Sequence, residues 1–135
     1  MDKEKIIEIL TTLNNLDLND TDDASVQLFK KQLKWVDIAI NQVQVLCKNI
    51  KKLNDNQNAT LNMVCACLVN LWIASSNAAR SSTETFKTNR LYIKTNTKLN
   101  LKNAKKLFDR WRSYAAPILI DDGFAFFTTK ELHLT

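Results

Sequence analysis

The stretch MVCACLVNLWIA, from Met63 to Ala74, is apolar on every side of a helix. With Asn58 as its cap, it predicts a helix over about 59–80. A membrane span needs about 20 predominantly apolar residues, and this helix is interrupted by three asparagines, Asn62, Asn70 and Asn77. We therefore expect a buried core helix against which the rest of the chain packs.

Helical spacing of apolar residues predicts further helices on both sides of this one. The expected segments are 3–16, 23–53, a short helix from about 82, and 101–115, with 90–97 open between helix and strand. Several caps are expected: Asp20 or Thr21 before the second helix, Ser81 paired with Glu84, and Asn100 before the last.

The long helix 23–53 carries two apolar rows. The first row comprises Val26, Phe29, Leu33, Val36, Ile40, Val43, Cys47 and Ile50, and the second Leu28, Trp35, Ala39, Leu46 and Leu53. One row suffices to pack on a single neighbour, so the second indicates either a helix central to a bundle or a contact with another subunit.

Glycine and proline each occur once, which disfavours folds with many tight turns. Pro117 ends the last helix, and Asp122-Gly123 predicts a small hairpin of 118–120 with 124–127. The expected fold is mostly α: one domain, 1–135, built as a four- or five-helix bundle around helix 59–80, with this C-terminal β-hairpin and a loose polar tail over 128–135.

Enzyme chemistry is not expected. The only histidine, His133, lies near the end of the chain, where an imidazole is rarely held in place. The acidic loop 17–23 lacks the Gly and Glu of a calcium-binding loop, since Asp22 and Leu28 stand at those positions. Phosphate-cradling and dinucleotide motifs are absent. No catalytic residue, metal site, cofactor or small-molecule substrate is predicted.

The cysteines indicate a reducing compartment. Cys47, Cys65 and Cys67 all lie in apolar stretches, and the sequence from Met1 does not read as a secretory signal. We expect buried, reduced thiols in an intracellular protein, cytoplasmic or nuclear. The abundance of Asn, Lys and Ile, whose codons are A/T-rich, is typical of some viruses, protozoa and low-GC bacteria, so a viral protein is one expectation.

The net charge of +5 is unevenly distributed. Residues 1–25 carry a net charge of −5, residues 26–52 carry +5, and residues 80–112 carry +8. Two basic faces result, on the long helix and on the last helix, with further cations in the connecting region. The predicted nucleic-acid-binding residues are Lys30, Lys34, Lys48, Lys52, Arg90, Lys94, Lys98, Lys102, Lys105, Lys106, Arg110 and Arg112.

Tyr92 can stack on a base if it is exposed. The opposite interpretation of all these cations is a solvated polar surface, which would predict mixed charge rather than faces nearly free of Glu.

The surplus apolar residues predict self-association. The expected interface comprises Leu28, Trp35, Leu46, Phe124 and Phe126. The leading hypothesis is a non-enzymatic, sequence-independent nucleic-acid-binding protein, with a leaning to RNA, that forms homo-oligomers. The alternative is a helical protein-interaction module, an adaptor or host-factor binder, whose basic and apolar faces meet a protein partner.

Overall fold

The computed structural model describes residues 1–47, 50–83 and 90–119. Within these ranges the protein is mostly helical, as predicted. Its five α-helices are Lys3–Leu13 (α1), Ala24–Gln32 (α2), Trp35–Leu46 (α3), Asp55–Thr83 (α4) and Arg90–Ala115 (α5). Two short 3₁₀ turns, Ile50–Lys52 and Ala116–Ile118, follow α3 and α5.

The apolar helix lies at the centre, which confirms the main expectation. Residues 64–69 of α4 are all buried, as are Leu61 and residues 71–73. The helix packs against α1, α3 and α5. By length and composition, residues 55–79 could cross a membrane, but 67% of the 18-residue apolar window within them is buried inside the protein, as in core helices of soluble proteins.

The two long helices pack antiparallel. The six residues between Thr83 and Arg90 span at most about 25 Å when fully extended, whereas α4 is about 43 Å long. Because α4 and α5 contact each other extensively, α5 must return along α4. Together they form a helical hairpin that provides most of the core.

Asparagines hold α1 against α4. Asn62 is buried and accepts a 2.9 Å hydrogen bond from the backbone N–H of Asp2. At the other end of α1, the Asn14 amide donates to Asn70 Oδ1 at 3.3 Å. Because the higher-numbered residues meet each other, α1 and α4 run in the same general direction. The polar residues that interrupt the apolar surface of α4 thus dock a neighbouring helix.

The cap predicted for α4 was wrong. The helix begins at Asp55, four residues before the expected start, and Asn54 caps it instead of Asn58. Asn54 Oδ1 accepts from the backbone N–H of Gln57 at 2.8 Å, and Gln57 Oε1 accepts from that of Asn54 at 2.9 Å. This reciprocal pair is a capping box, and the Asn-x-x-Gln spacing of residues 54–57 was its signal.

The predicted single helix 23–53 was also wrong. It ends at Gln32 and restarts at Trp35, with a tight turn in which the N–H of Val36 donates to the carbonyl of Leu33. Leu33 and Lys34 keep ordinary helical dihedral angles. The break therefore needs no glycine or proline, and the sequence carries no signal for it. The second part ends at Leu46, since Cys47 is extended.

Helix α5 is longer than predicted. It begins at Arg90, not after Asn100, so 90–97 is helical and Asn100 lies inside the helix rather than at its cap. Ser81 likewise lies inside α4 and not at the start of a helix, while Glu84 and most of the short helix expected from about 82 lie outside the described residues. The predicted end of α5 at Ala115, just before Pro117, is confirmed.

The acidic loop caps its neighbour through a different residue than expected. Asp23, not Asp20 or Thr21, is the N-cap of α2, and its carboxylate accepts from the N–H of Ser25 at 2.8 Å. Asp17 and Asp20 accept in the same way from backbone N–H groups two residues on. The carboxylates of this loop thus order its own backbone.

The described chain ends beside α3. Cys47 and Leu119 form an isolated antiparallel bridge, so Leu119 pairs there with the residue that ends α3. The rest of the predicted hairpin, the tail 128–135 and Ile120 lie outside the described residues, and no strand is present within the described ranges.

We predict that Asn54→Ala lowers the free energy of unfolding by about 1 kcal/mol, because it removes the cap of the central helix. Asn56→Ala is the matched control, since Asn56 is exposed two residues further on and its side chain makes no cap. We expect the control to stay within about 0.5 kcal/mol of the parent. Urea unfolding followed by circular dichroism measures both, and equal effects would contradict the role of the capping box.

Candidate functional site

The cations of α5 form the most extended charged surface that the structure describes. Four of them are exposed: Lys102, Lys105, Lys106 and Arg110. We call these four residues the α5 basic surface. Arg112, the fifth predicted cation of this helix, is half-buried, and Asp109 is the one acid in this part of α5. The predicted outward face of α5 is therefore present, with Arg112 at its margin.

The unexpected length of α5 extends this charge along the helix. Basic residues occur at every fourth position from its first residue, namely Arg90, Lys94, Lys98, Lys102, Lys106 and Arg110. One continuous helix places successive members one turn apart, in a row that winds around α5 over about 30 Å. The sequence pattern assigned the first three to a connecting segment, and the row was therefore missed.

This arrangement is costly for a helix. Like charges four residues apart destabilise a helix by roughly 0.2–0.5 kcal/mol per pair, and Lys102, Lys106 and Arg110 form two such pairs. In the described part of the chain the one ion pair is Lys3–Asp37, at 3.0 Å, so no carboxylate lies within ion-pair distance of the α5 basic surface there. Helix stability alone does not account for the row.

The residues of the second predicted basic face do not lie on one helix. Lys30, Lys34 and Lys52 are exposed, but they belong to α2, to the turn between α2 and α3, and to the first 3₁₀ turn. Their common face required one straight helix over 23–53. Lys48 and the side chains of Arg90, Lys94 and Lys98 lie outside the described residues, as does that of Tyr92.

An exposed aromatic residue lies beside the α5 basic surface. Tyr114 is 59% exposed and meets Trp111 edge-to-face, with 5.2 Å between the ring centres. The sequence placed Leu107, Phe108, Trp111 and Tyr114 on the inner face of α5. Phe108 is buried there, Leu107 and Trp111 are half-buried, and Tyr114 points out. At 100° per residue, Tyr114 lies 40° from Arg110, which was the available signal.

A cavity of about 370 Å³ lies where the end of α1 meets α4 and α5. Five asparagines from these helices line it, and none of its lining residues is charged: Asn14, Asn70, Asn77, Asn100 and Asn103. Ile73, Ala104 and Leu107 contribute apolar surface. We call this space the amide cavity. It lies near the α5 basic surface, because Asn103 and Lys106 are three residues apart on α5 and are therefore neighbours on its surface.

The predicted interface residues lie mainly against the core. Trp35 and Leu46 are half-buried and pack on the hydrophobic core, and Leu28 is half-buried. Phe124 and Phe126 lie outside the described residues. The apolar side chains that α3 does expose are Ile38 and Val45, 48% and 76% exposed. They are seven residues apart, on one side of α3, and belong to neither predicted row.

The three cysteines are free and buried. Burial raises the pKa of the Cys65 and Cys67 thiols to about 12 each, and it also raises the pKa of Cys47. At neutral pH these thiols are protonated, and the thiolate is the reactive form. Among the described residues, no three His, Cys, Asp or Glu side chains cluster so that they could hold a metal ion.

We predict that Lys106→Glu raises the free energy of unfolding, by about 0.5–1 kcal/mol. The change replaces repulsion with attraction toward both Lys102 and Arg110, four residues away on either side, which outweighs the lost attraction to Asp109 three residues on. Lys106→Gln, which only removes the charge, should give a smaller gain. Urea unfolding at low salt measures both variants. A decrease in the stability of the glutamate variant would show that repulsion along the row is not the cost we infer.

Comparisons with known proteins add no relative from which a function could be transferred. No family model matches the chain, and neither the search of curated proteins nor that of solved structures finds a match.

Proposed function

We propose that this protein is a non-enzymatic nucleic-acid-binding protein, with a leaning to RNA, that self-associates and contacts phosphates without regard to base sequence. The observation that carries the proposal is the row of cations along α5. Lysine and arginine neutralise phosphate charge and release counterions from the nucleic acid. A ligand of this kind would relieve the repulsion that the row imposes on the free helix.

Two further features support the proposal. The exposed ring of Tyr114 lies one turn beyond Arg110, and aromatic rings next to cations are typical of proteins that bind single strands. Unpaired bases that stack on aromatic side chains are common in RNA recognition, which supports the leaning to RNA. The exposed Lys30, Lys34 and Lys52 offer additional phosphate contacts outside α5.

The test is a double charge reversal on α5. We expect Lys105→Glu with Lys106→Glu to weaken binding of a labelled 12-nucleotide RNA strongly, because two cations that attract phosphates become anions that repel them. The slope of log affinity against log salt should fall by about one unit for each phosphate that is no longer neutralised. Fluorescence anisotropy over a salt series measures both quantities, with single-stranded DNA in parallel.

The matched control reverses two other exposed lysines, Lys5→Glu with Lys31→Glu, and so changes the net charge equally. Neither residue belongs to the predicted binding set. If the α5 variant binds as the parent does, or if the control weakens binding to the same extent, α5 is not the binding surface. A parent protein that binds neither RNA nor DNA at low salt would overturn the proposal.

The exposed apolar residues of α3 support the second candidate function, a helical protein-interaction module. Ile38 and Val45 lie on one side of a helix whose opposite side, Val36, Ala39 and Val43, is buried in the core. An apolar strip of this kind suits a contact between helices. The same strip supports the self-association in the leading proposal, since a second copy of the chain is one partner that it can meet.

We predict that Ile38→Ser with Val45→Ser shifts the protein toward monomer without unfolding it, because both side chains are exposed. Gln44→Ala, an exposed change on the same helix, is the control. Light scattering at tens of micromolar, with and without short RNA, measures the mass. A monomeric parent under both conditions would contradict self-association and would favour a different protein as the partner of this strip.

A further inference from the structure

The amide cavity is a feature of the described structure that takes no part in the proposed phosphate contacts. Its five carboxamides come from three helices, and several are available for a ligand. The side chains of Asn77, Asn100 and Asn103 make no hydrogen bond within the described part of the chain, whereas Asn14 and Asn70 bond to each other at 3.3 Å. A cavity of about 370 Å³ is within the usual range of small-ligand sites.

The chemistry of the lining restricts what can bind. A carboxamide offers donors and an acceptor side by side and carries no charge, so the cavity matches a neutral, flat group with both kinds of hydrogen-bonding atoms. The edge of a nucleobase is such a group, and asparagine pairs with base edges through two bonds. Leu13 and Ala74 also line the cavity, and their partly exposed apolar surface, with that of Leu107, can contact the face of the ring.

The position of the cavity on α5 connects it with phosphate contacts. At 100° per residue, Arg110 and Tyr114 each lie within about 20° of Asn103 around the helix. They follow it at about 10 Å and 16 Å along the axis. An amide, a cation and an exposed aromatic ring thus lie in one line beside the winding row of lysines. A nucleic-acid strand bound along this line would place a base at the amide cavity and would then contact the guanidinium of Arg110 and the ring of Tyr114.

We propose that the amide cavity binds an unpaired nucleobase and thereby makes the protein prefer single strands to duplexes. This inference depends on the proposed function, to which it adds the class of nucleic acid. In a duplex the pairing edges of the bases bond to each other, so a duplex can meet the α5 basic surface but cannot place an edge in the cavity. The phosphate contacts supply affinity for either form, and the cavity adds to the preference for single strands that stacking on Tyr114 gives.

The test compares a labelled 12-nucleotide RNA with a duplex of the same sequence, using Asn77→Leu and Asn103→Leu. Leucine is close to asparagine in size and removes the amide. We expect the parent to bind the single strand more tightly by about fivefold or more, since one good amide–base pair is worth at least that ratio. In both variants the ratio should fall several-fold, toward the preference that stacking on Tyr114 alone gives, with the salt slope unchanged because the substitutions leave every charge in place.

Two controls separate the cavity from the charged surface. Asn56→Leu, an exposed asparagine of α4 outside the cavity, should keep the parent's ratio. The double reversal of Lys105 and Lys106 should lower the salt slope and affinity for both forms but keep their ratio. Circular dichroism of each variant confirms that it is folded, and the two cavity variants lie on different helices, so one tests the inference if the other does not fold.

The outcomes distinguish this inference from the proposal on which it depends. If the parent binds both forms equally, or if both cavity variants keep its preference, the cavity is not a base site while nucleic-acid binding stands. If the parent binds neither form at low salt, both proposals fail.

Discussion

The burial of α4 is the constraint on which the other elements depend. A helix that is apolar all round cannot leave one side to water, so it has to be covered on several sides at once. Helices α1, α3 and α5 supply that cover, and each of them turns an apolar strip inward, while the outer side is charged on α5 and partly apolar on α3. The outer strips of α3 and α5 are the surfaces available for partners.

The asparagines of α4 show how a nearly uniform apolar helix selects specific neighbours. A purely apolar surface would let a covering helix slide or rotate at little cost, whereas a buried amide requires one hydrogen-bonding partner. Asn62 takes the backbone N–H of Asp2, and Asn70 takes the amide of Asn14. Both bonds fix α1 in position along α4, and the Asn14–Asn70 pair also lines the amide cavity.

Helix α5 combines two requirements that oppose each other. Its inner side, with Ala104, Phe108 and Ala115 buried, stabilises the bundle. Its outer side repeats cations at a spacing that weakens an isolated helix. The packing of α5 against α4 offsets this repulsion, so the core keeps α5 helical and its cations aligned. A substitution of one of these cations therefore changes both the stability of the helix and the charge density of its surface.

The amino-acid sequence by itself determined the helical class, the central position of α4, the outward cations of α5 and the buried cysteines. Composition and the spacing of apolar residues indicate these features because they do not depend on how the helices pack in detail. Three features were decided only by the tertiary structure. The break at Leu33 and Lys34 has helical dihedral angles and no breaker residue, so the local sequence does not mark it. The continuity of α5 through 90–99 joins its cations into one row, where local propensity left helix and strand open. The amide cavity gathers asparagines that are up to 89 positions apart in the sequence, from Asn14 to Asn103, and only the docking of three helices can bring such distant residues together.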